Sequence, residues 1–303
     1  MTPPADVTLP TADALPPLLL ELTVPHEDID DIVGSSAGMA SSQAQRLLAE
    51  GVRLLVDRMG GTTAPVTPPT PPDDAAWARH FHLFLFLAML PHVRAYHAER
   101  AIPAEVTRLS LADIGRSVAV NRFRHGVAGV RPPTWLTLHV TGALYQLGRL
   151  QFERAAVGPR SSAALRAAGI PLEEGDPVLA VHIPGFYGPL TPAAVADSFA
   201  RAREFFPRHF PGERYDIAVC RSWLLDGQLA DYLPAESNIV AFQRLFQTSY
   251  LPDEDDEDTL TFVFGDLGTP LNERPRRTAL QRAVLDHLAA GKHWRGGAGW
   301  RSL

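Results

Sequence analysis

The most restrictive feature of the sequence is a strand, a Gly/Pro-rich loop, a helix and a second strand in immediate succession over residues 178–226. The apolar strands are residues 178–183 and 215–225, and an amphipathic segment beginning at Thr191-Pro192 lies between them. Two such strands joined by a helix form a βαβ-type unit, because the helix buries one face on the sheet. Ligands bind where the strand leads into the helix N-terminus, since N–H groups and the helix dipole converge there. We therefore expect the functional site at this loop.

Composition indicates a globular protein with a sizeable core, because 46% of the 303 residues are hydrophobic and 20% are charged. A net charge of -6 argues against nucleic acid as a partner. The single cysteine, Cys220, excludes an internal disulfide framework and predicts a cytoplasmic location. The first twenty residues contain neither Lys nor Arg, and the longest apolar run, residues 81–90, is too short for a bilayer. We expect no signal peptide and no membrane partner.

The pattern along the chain predicts two domains that meet at Pro132-Pro133. Residues 1–133 contain apolar stripes at helical spacing, which predicts a helical N-terminal domain. Residues 134–303 predict alternating helices and strands, which is typical of an α+β or α/β mixed-sheet domain with flanking helices. The expected elements outside the central unit are a helix over 134–147, a strand from 148, a helix over 238–247, a solvated acidic loop at 253–258, a strand over 259–264 and a helix over 276–290.

Two other motifs carry less weight. Ser36 lies in a Gly-x-Ser-x-Gly pattern between Gly34 and Gly38, but a nucleophile elbow needs a hydrophobic strand before it and an acid-rich helical segment precedes this one. Four histidines between His80 and His97 are dense, but no carboxylate or cysteine joins them at ligand spacing. We expect neither a serine hydrolase nor a metal site.

Two side chains of the central unit have the chemistry of a catalytic site. His182 lies one residue before its strand yields to the loop, where it is either a base for an amine or alcohol nucleophile or a structural histidine. Cys220 is either a catalytic thiol or an inert core residue. Gly185 and Gly188 let the backbone approach a ligand, although the loop is also compatible with a rigid turn alone.

Several segments of the chain resemble one known family. They are residues 147–153, 182–184 with 188–190, 198–199 through 205–207, 220–225, Leu229, Leu233-Pro234, and 237–239 with Phe242 and Phe246. The likeness covers residues 134–250 most specifically. It is to bacterial acyltransferases that join a helical N-acyltransferase N-terminal domain to a GNAT-like C-terminal domain.

This resemblance implies a GNAT-like fold and transfer of an acyl group from acetyl-CoA or another acyl-CoA to a small-molecule amine, which attacks the thioester directly. It implies His182 as base, with Cys220 and Asp226 beside the acceptor. The implied CoA-binding residues are Ile183, Gly185, Phe186, Tyr187, Gly188, Leu190 and Thr191, and the implied substrate-binding residues are Arg149, Gln151, Arg221, Ser222, Trp223 and Asn238. The alternative is a non-catalytic ligand- or partner-binding protein on a degenerate GNAT scaffold.

Overall fold

The computed structural model describes residues 7–62, 64–250 and 254–303. The chain forms two compact units, unit 1 over Met1–Gln146 and unit 2 over Leu147–Leu303. The boundary expected from the two prolines, after residue 133, stays a prediction. In the described part of the chain, no helix combines the length and the apolar character needed to cross a membrane.

Unit 1 is helical, as its apolar stripes predict. Its helices are α1 (Leu15–Glu21), α2 (His26–Ser35), α3 (Ser42–Val56), α4 (Phe81–Glu99), α5 (Ala104–Leu111), α6 (Asp113–His125) and α7 (Thr134–Val140). The helix α4 is buried on all sides over residues 83–90 and packs against α3 and α7. A helix that is apolar all round belongs in a core, so α4 is the centre of unit 1. It continues through Pro91 to Glu99.

A buried carboxylate joins two helices of unit 1. Arg116 Nη1 donates to Asp113 Oδ1 at 2.6 Å, and Trp135 Nε1 donates to Asp113 Oδ2 at 3.2 Å. His139 Nε2 also lies 3.2 Å from Asp113 Oδ2, and its side chain is fully buried. Burial by itself raises the pKa of Asp113, but His139 and Arg116 outweigh it and hold this pKa well below its usual range. Asp113 is therefore ionised in the folded protein.

The chain forms a mixed sheet of six strands in the order β1-β2-β3-β4-β6-β5, and the strands β2 to β6 lie wholly in unit 2. The strands are β1 (Leu144–Leu147), β2 (Leu150–Ala156), β3 (Pro177–His182), β4 (Ile217–Ser222), β5 (Gln247–Tyr250) and β6 (Gly297–Ser302). The central pair β3–β4 is parallel, whereas β2–β3, β4–β6 and β5–β6 are antiparallel. The parallel pair needs a crossover helix, so the loop after β3 and the N-terminus of that helix lie at the carboxyl end of the two central strands.

Helices cover both faces of this sheet. They are α8 (Pro159–Ala167), α9 (Pro192–His209), α10 (Asn238–Gln243), α11 (Asp256–Phe264) and α12 (Ala279–Ala289). The crossover helix α9 packs Phe199 against Phe152 of β2, with ring centroids 5.4 Å apart. On the opposite face, Leu165 of α8 packs with Val178 and Ile217. Alternating side chains along β3 therefore serve two separate cores.

The predicted strand over residues 259–264 is wrong, because this segment is the second half of α11. Asp255 Oδ1 accepts the N–H of Asp258 at 3.0 Å and caps the helix. Carboxylates in the first turn favour a helix N-terminus, and this outweighs the strand propensity of the alternating apolar residues that follow. Asp253, the first residue of the predicted acidic loop, lies outside the described residues. The predicted helix over 134–147 ends at Val140, and β1 occupies its last residues.

Candidate functional site

The candidate site lies where the parallel strands β3 and β4 stop pairing with each other. Their recorded register is Leu179 with Ala218 and Ala180 with Val219. By contrast, β3 pairs with β2 as far as His182, and β4 pairs with β6 as far as Ser222. The ladder between β3 and β4 thus ends two residues before β3 does. This gap at the carboxyl ends of two strands is where α/β proteins bind ligands.

His182, the last residue of β3, forms a pair with a carboxylate on β2. Its Nε2 lies 2.8 Å from Glu153 Oε2, and both side chains are partly exposed, at 26% for His182 and 13% for Glu153. Gln151 is the main-chain partner of His182 across the β2–β3 ladder and is buried. A histidine oriented by a carboxylate is suited to accept a proton. Sequence reasoning missed Glu153, although it shares a strand face with Gln151.

The loop between β3 and α9 has open space over its two glycines. A side-chain carbon added at Gly185 or Gly188 would meet no atom within 4 Å, and Gly188 has φ +74°. Phe186 is 57% exposed beside them. The other predicted loop residues are Ile183 and Tyr187, which are partly buried, and Leu190, which is buried. The structure therefore brings the predicted CoA-binding residues together around a free main-chain surface.

The loop ends at a capped helix start. Thr191 Oγ1 accepts the N–H of Ala194 at 3.3 Å, and Pro192 occupies the first turn of α9. A ligand at this helix end meets the N–H of Ala193 and the positive end of the helix dipole, which favours an anion. Pro184, Pro189 and Pro192 have no N–H to donate. The main chain alone is therefore a sparse anion site.

Arg149, predicted to bind substrate, contacts this loop from the β1–β2 turn. Its Nη1 donates to the carbonyl oxygen of Pro184 at 2.7 Å, and its Nε donates to that of Gly188 at 2.9 Å. The side chain is buried, and this burial lowers the pKa of the guanidinium. A cation thus lies directly against the loop.

A cavity of about 180 Å³ extends from the loop along α9 and α10. Leu190 and Pro192 line it at the loop, and Asn238, a predicted substrate-binding residue, lines it at the start of α10. Arg203 and Arg301 add two positive charges to its wall. Burial is the larger cause of the lowered pKa of Arg301, and the nearby charge of Arg203 lowers this pKa further. The remaining lining residues are Val195, Ala196, Phe199, Ala241, Phe242 and Leu245. The cavity wall is mostly apolar and carries two positive charges, which suits a ligand that combines apolar and anionic parts.

Cys220, predicted as a catalytic residue, is buried in the interior of unit 2. The residue is 3% exposed, and burial raises the pKa of its thiol to about 12. A thiolate is the nucleophilic form of cysteine, so this thiol is unreactive near neutral pH. The interpretation of Cys220 as an inert core residue is the one that its environment favours.

Asp226, predicted to attract a cationic amine, accepts hydrogen bonds from two main-chain N–H groups and one side-chain amide. Its Oδ1 accepts the N–H of Gln228 at 3.0 Å, and its Oδ2 accepts the N–H of Arg295 at 2.7 Å and Nε2–H of Gln228 at 3.1 Å. The residue is 2% exposed. Since a buried carboxylate with several donors is already satisfied, its geometry favours a structural role.

The other predicted residues at the end of β4 differ in exposure. Arg221 is exposed and lies on the same strand face as Val219. Ser222 Oγ accepts the N–H of Leu224 at 3.2 Å and caps a short turn. Trp223 is buried and stacks on Phe262 of α11, with centroids 6.4 Å apart and planes at 20°. Phe262 is 63% exposed, so the structure places an exposed aromatic ring that sequence reasoning missed against Trp223, the residue after β4.

His80 and His97 and the serine motif of unit 1 have structural partners. His80 Nδ1 lies 2.9 Å from Ser35 Oγ, and His97 Nδ1 lies 2.9 Å from Thr107 Oγ1. Ser36 follows α2 and donates to the carbonyl oxygen of Val33 at 2.7 Å. Within residues 7–62, 64–250 and 254–303, no group of three or more His, Cys, Asp and Glu side chains is placed to hold a metal ion.

Comparison with known proteins finds a matching domain family for each half of the chain. Residues 13–142 match the N-acyltransferase N-terminal domain, and residues 144–301 match the GNAT-like C-terminal domain. A mutant acyltransferase in complex with octanoyl-CoA is 38% identical with a TM-score of 0.89, over 99% of this chain and 91% of that one. Acyltransferase structures with decanoyl-CoA and teicoplanin, and with CoA and 10C-teicoplanin, are each 38% identical with TM-scores of 0.87 and the same coverage. No curated protein sequence matches the chain.

Proposed function

Because the chain belongs to the acyltransferase family that joins an N-acyltransferase N-terminal domain to a GNAT-like C-terminal domain, we propose that it transfers an acyl group from acyl-CoA to the amine of a small-molecule acceptor. One observation carries the proposal. The similarity to acyltransferases that hold octanoyl-CoA or decanoyl-CoA extends over 99% of this chain. Membership of an enzyme family leaves the alternative of a non-catalytic scaffold without support.

The loop over residues 183–191 and the start of α9 are the proposed site for the CoA pyrophosphate. The support is the open space at Gly185 and Gly188, the helix dipole, and the Arg149 guanidinium behind the loop. The cavity along α9 and α10 is the proposed continuation of this site. Its two arginines and apolar wall suit a long molecule that carries phosphates.

The gap between β3 and β4 is the proposed site for the pantetheine arm and the thioester. Main-chain groups that are not used in a ladder between strands can pair with the amide groups of an extended ligand, as an added strand does. The same gap lies next to His182 at the end of β3. The thioester carbonyl and the histidine are thereby brought to one place.

The proposed reaction is direct attack. The neutral amine nitrogen forms a bond to the thioester carbonyl carbon, and the tetrahedral intermediate then breaks its carbon–sulfur bond. His182 takes the proton that the nitrogen loses, and the imidazolium then gives this proton to the departing CoA thiolate, which becomes the free thiol and leaves His182 neutral again. The Glu153 carboxylate, 2.8 Å from Nε2 of His182, stabilises the imidazolium that forms when the histidine takes this proton. The unreactive thiol of Cys220 supports direct attack over an acyl-enzyme.

Medium-chain donors and teicoplanin are the first compounds to test, because the similar structures hold octanoyl-CoA, decanoyl-CoA and teicoplanin. The test has two parts. Calorimetric titration measures binding of octanoyl-CoA, decanoyl-CoA, acetyl-CoA and free CoA. A thiol-reactive disulfide reagent then measures release of CoA in the presence of teicoplanin, and mass spectrometry identifies the acylated product.

We expect micromolar binding of a medium-chain acyl-CoA, lost in Gly185→Leu and kept in Gly212→Leu. Both glycines have open space around them and ordinary φ angles, but only Gly185 lies in the loop. Failure of the wild-type protein to bind any thioester would overturn the proposed donor. Binding without release of CoA would overturn the proposed acceptor, and a product acylated on oxygen would overturn the amine.

A further inference from the structure

The β1–β2 turn that carries Arg149 is attached to the second turn of α9. Ser198 Oγ accepts the N–H of Arg149 at 2.8 Å and that of Leu150 at 3.2 Å, and it donates to the carbonyl oxygen of Ala194 at 2.9 Å. Ser198 is fully buried. Gly148, with φ +71°, allows this close approach, since a side-chain carbon there would lie 2.9 Å from Ser198 Oγ. Arg149 is therefore fixed relative to the helix whose N-terminus ends the loop.

The guanidinium of Arg149 contacts the loop over residues 183–191 at two points, Pro184 and Gly188. It donates to the carbonyl oxygens of Pro184 and Gly188 from two different nitrogens. Arginine presents its donors in a planar fork, so two simultaneous contacts fix the separation of the two carbonyl groups. The loop between them contains Gly185 and Gly188, whose backbone freedom would otherwise be large.

The direction of these carbonyl groups has a consequence for ligand binding. In a trans peptide group the C=O and N–H bonds point in opposite directions. Drawing the Pro184 carbonyl toward Arg149 therefore turns the N–H of Gly185 away from Arg149, toward the open side of the loop. The Gly188 carbonyl shares its peptide group with Pro189, which has no N–H, so drawing it inward only removes a negative dipole from that side. Both effects favour an anion over the loop.

The positive charge of Arg149 also favours an anion over the loop. The three prolines leave few N–H donors, and a buried cation has an electrostatic effect that water screens less than it screens a surface charge. We propose that Arg149 is a positioning residue for the donor site: it fixes the 184–188 loop in its anion-binding form and supplies the charge that the proline-containing loop lacks. This inference rests on the proposed use of acyl-CoA.

The test compares a donor with phosphates and a donor without them. Octanoyl-CoA carries the phosphates, whereas the N-acetylcysteamine thioester of octanoate carries the same acyl group and no phosphate. We expect Arg149→Met to raise the KM for octanoyl-CoA by about tenfold to a hundredfold, because two charge-assisted hydrogen bonds and a charge are lost. The kcat/KM for the short thioester should stay within about twofold of wild type.

Arg149→Lys and a control complete the experiment. Lysine keeps the charge but cannot bridge both carbonyl groups, so its KM for octanoyl-CoA should lie between those of wild type and Arg149→Met. Arg166→Met removes the same charge from an exposed position on α8 and should change neither donor's KM. If Arg149→Met does not fold, Arg149→Lys alone carries the comparison of the two donors.

The outcomes are distinct. If wild type binds octanoyl-CoA and the Arg149 variants bind it equally well, the inference is wrong and the proposed function stands. If the variants lose both donors in parallel, Arg149 has only a general structural role and the inference is again wrong. If wild type binds no acyl-CoA, the proposed function itself fails.

Discussion

Asp113–His139 in unit 1 and Glu153–His182 in unit 2 are both carboxylate–histidine pairs, and they differ in burial and in position. In unit 1, Asp113 and His139 lie 3.2 Å apart in the interior, and Arg116 and Trp135 also bind the carboxylate. In unit 2, Glu153 and the partly exposed His182 lie 2.8 Å apart beside the gap between β3 and β4.

The comparison shows that side-chain chemistry alone does not separate a structural pair from a candidate catalytic one. A buried carboxylate surrounded by donors keeps one protonation state, and its removal leaves its partners unpaired. A histidine that accepts a proton from a substrate must instead be reachable by that substrate and must change its charge during the reaction. Position at the end of β3 gives His182 that access. We therefore expect substitution of Asp113 to change stability and substitution of His182 to change turnover.

The largest expected effect is on turnover in His182→Ala. Loss of a general base typically lowers the rate by about 10²–10⁴-fold, and we expect kcat to fall in this range. Circular dichroism and the melting temperature should stay close to wild type, because the side chain is partly exposed. The measurement is the rate of CoA release at saturating octanoyl-CoA and acceptor. A kcat within about twofold of wild type would remove His182 from the mechanism.

The matching change in unit 1, Asp113→Ala, should affect stability. It leaves Arg116 and His139 without their buried carboxylate, so we expect a loss of about 3 kcal/mol in the free energy of unfolding. Asp31→Ala is the control, because Asp31 pairs with Arg79 at the surface and should contribute less than about 1 kcal/mol. Urea unfolding measures both. Equal effects of the two substitutions would contradict the distinction between the buried and exposed pairs.

The lowered pKa of Asp113 also predicts acid sensitivity. In the unfolded chain an aspartate has a pKa of about 4, whereas in the folded protein the pKa of Asp113 lies well below this value. The stabilisation is therefore fully present above about pH 4 and is lost as the pH falls toward the folded pKa. Urea unfolding of wild type and Asp113→Asn at pH 7 and pH 3 measures this. The stability difference between the two proteins should be smaller at pH 3, and a constant difference would contradict the assignment.

Much of this fold follows from local sequence. Residues 178–183 and 215–225 are apolar runs of strand length, and Thr191-Pro192 marks a helix start, so the central unit is predicted correctly. The strand predicted over residues 259–264 is wrong because the cap and the carboxylates at Asp255–Asp258 favour a helix there. These residues lie outside the apolar run on which the prediction depends. The strand β6 was missed since Gly297 and Gly299 weaken its pattern. Leu225 and Phe246 lie too close to them for a side chain.

The position of the candidate site stays a prediction, and local sequence gives less of its composition than of its position. The end of β3 and the loop after it are the predicted position because strand-to-loop junctions bind ligands in this class of fold. Glu153 becomes a partner of His182 only through the antiparallel register of β2 with β3, which local sequence does not specify. Arg149 meets Pro184 and Gly188 across 35 and 39 residues of chain. Such contacts depend on the sheet order rather than on any motif.

A smaller effect is expected for Glu153→Gln. The amide keeps the shape of the side chain but removes the negative charge that stabilises the imidazolium form of His182. A hydrogen bond to a charged group contributes about 1.5–3 kcal/mol, so kcat should fall by about tenfold to a hundredfold, less than in His182→Ala. The double variant His182→Ala/Glu153→Gln should be no slower than His182→Ala, because Glu153 acts through the histidine. A further fall in the double variant would indicate a separate role for Glu153.

The smallest effect is expected for Cys220→Ala, which tests direct attack against an acyl-enzyme. The buried thiol has its pKa raised to about 12, so essentially no thiolate exists at pH 7. We expect kcat within about twofold of wild type and a loss of about 1 kcal/mol in stability from the smaller side chain. Mass spectrometry after rapid acid quench should find no acyl group on the wild-type protein. A fall in kcat of a hundredfold, with an acyl adduct on wild type, would require Cys220 as nucleophile and would make His182 the base that activates a thiol instead of an amine.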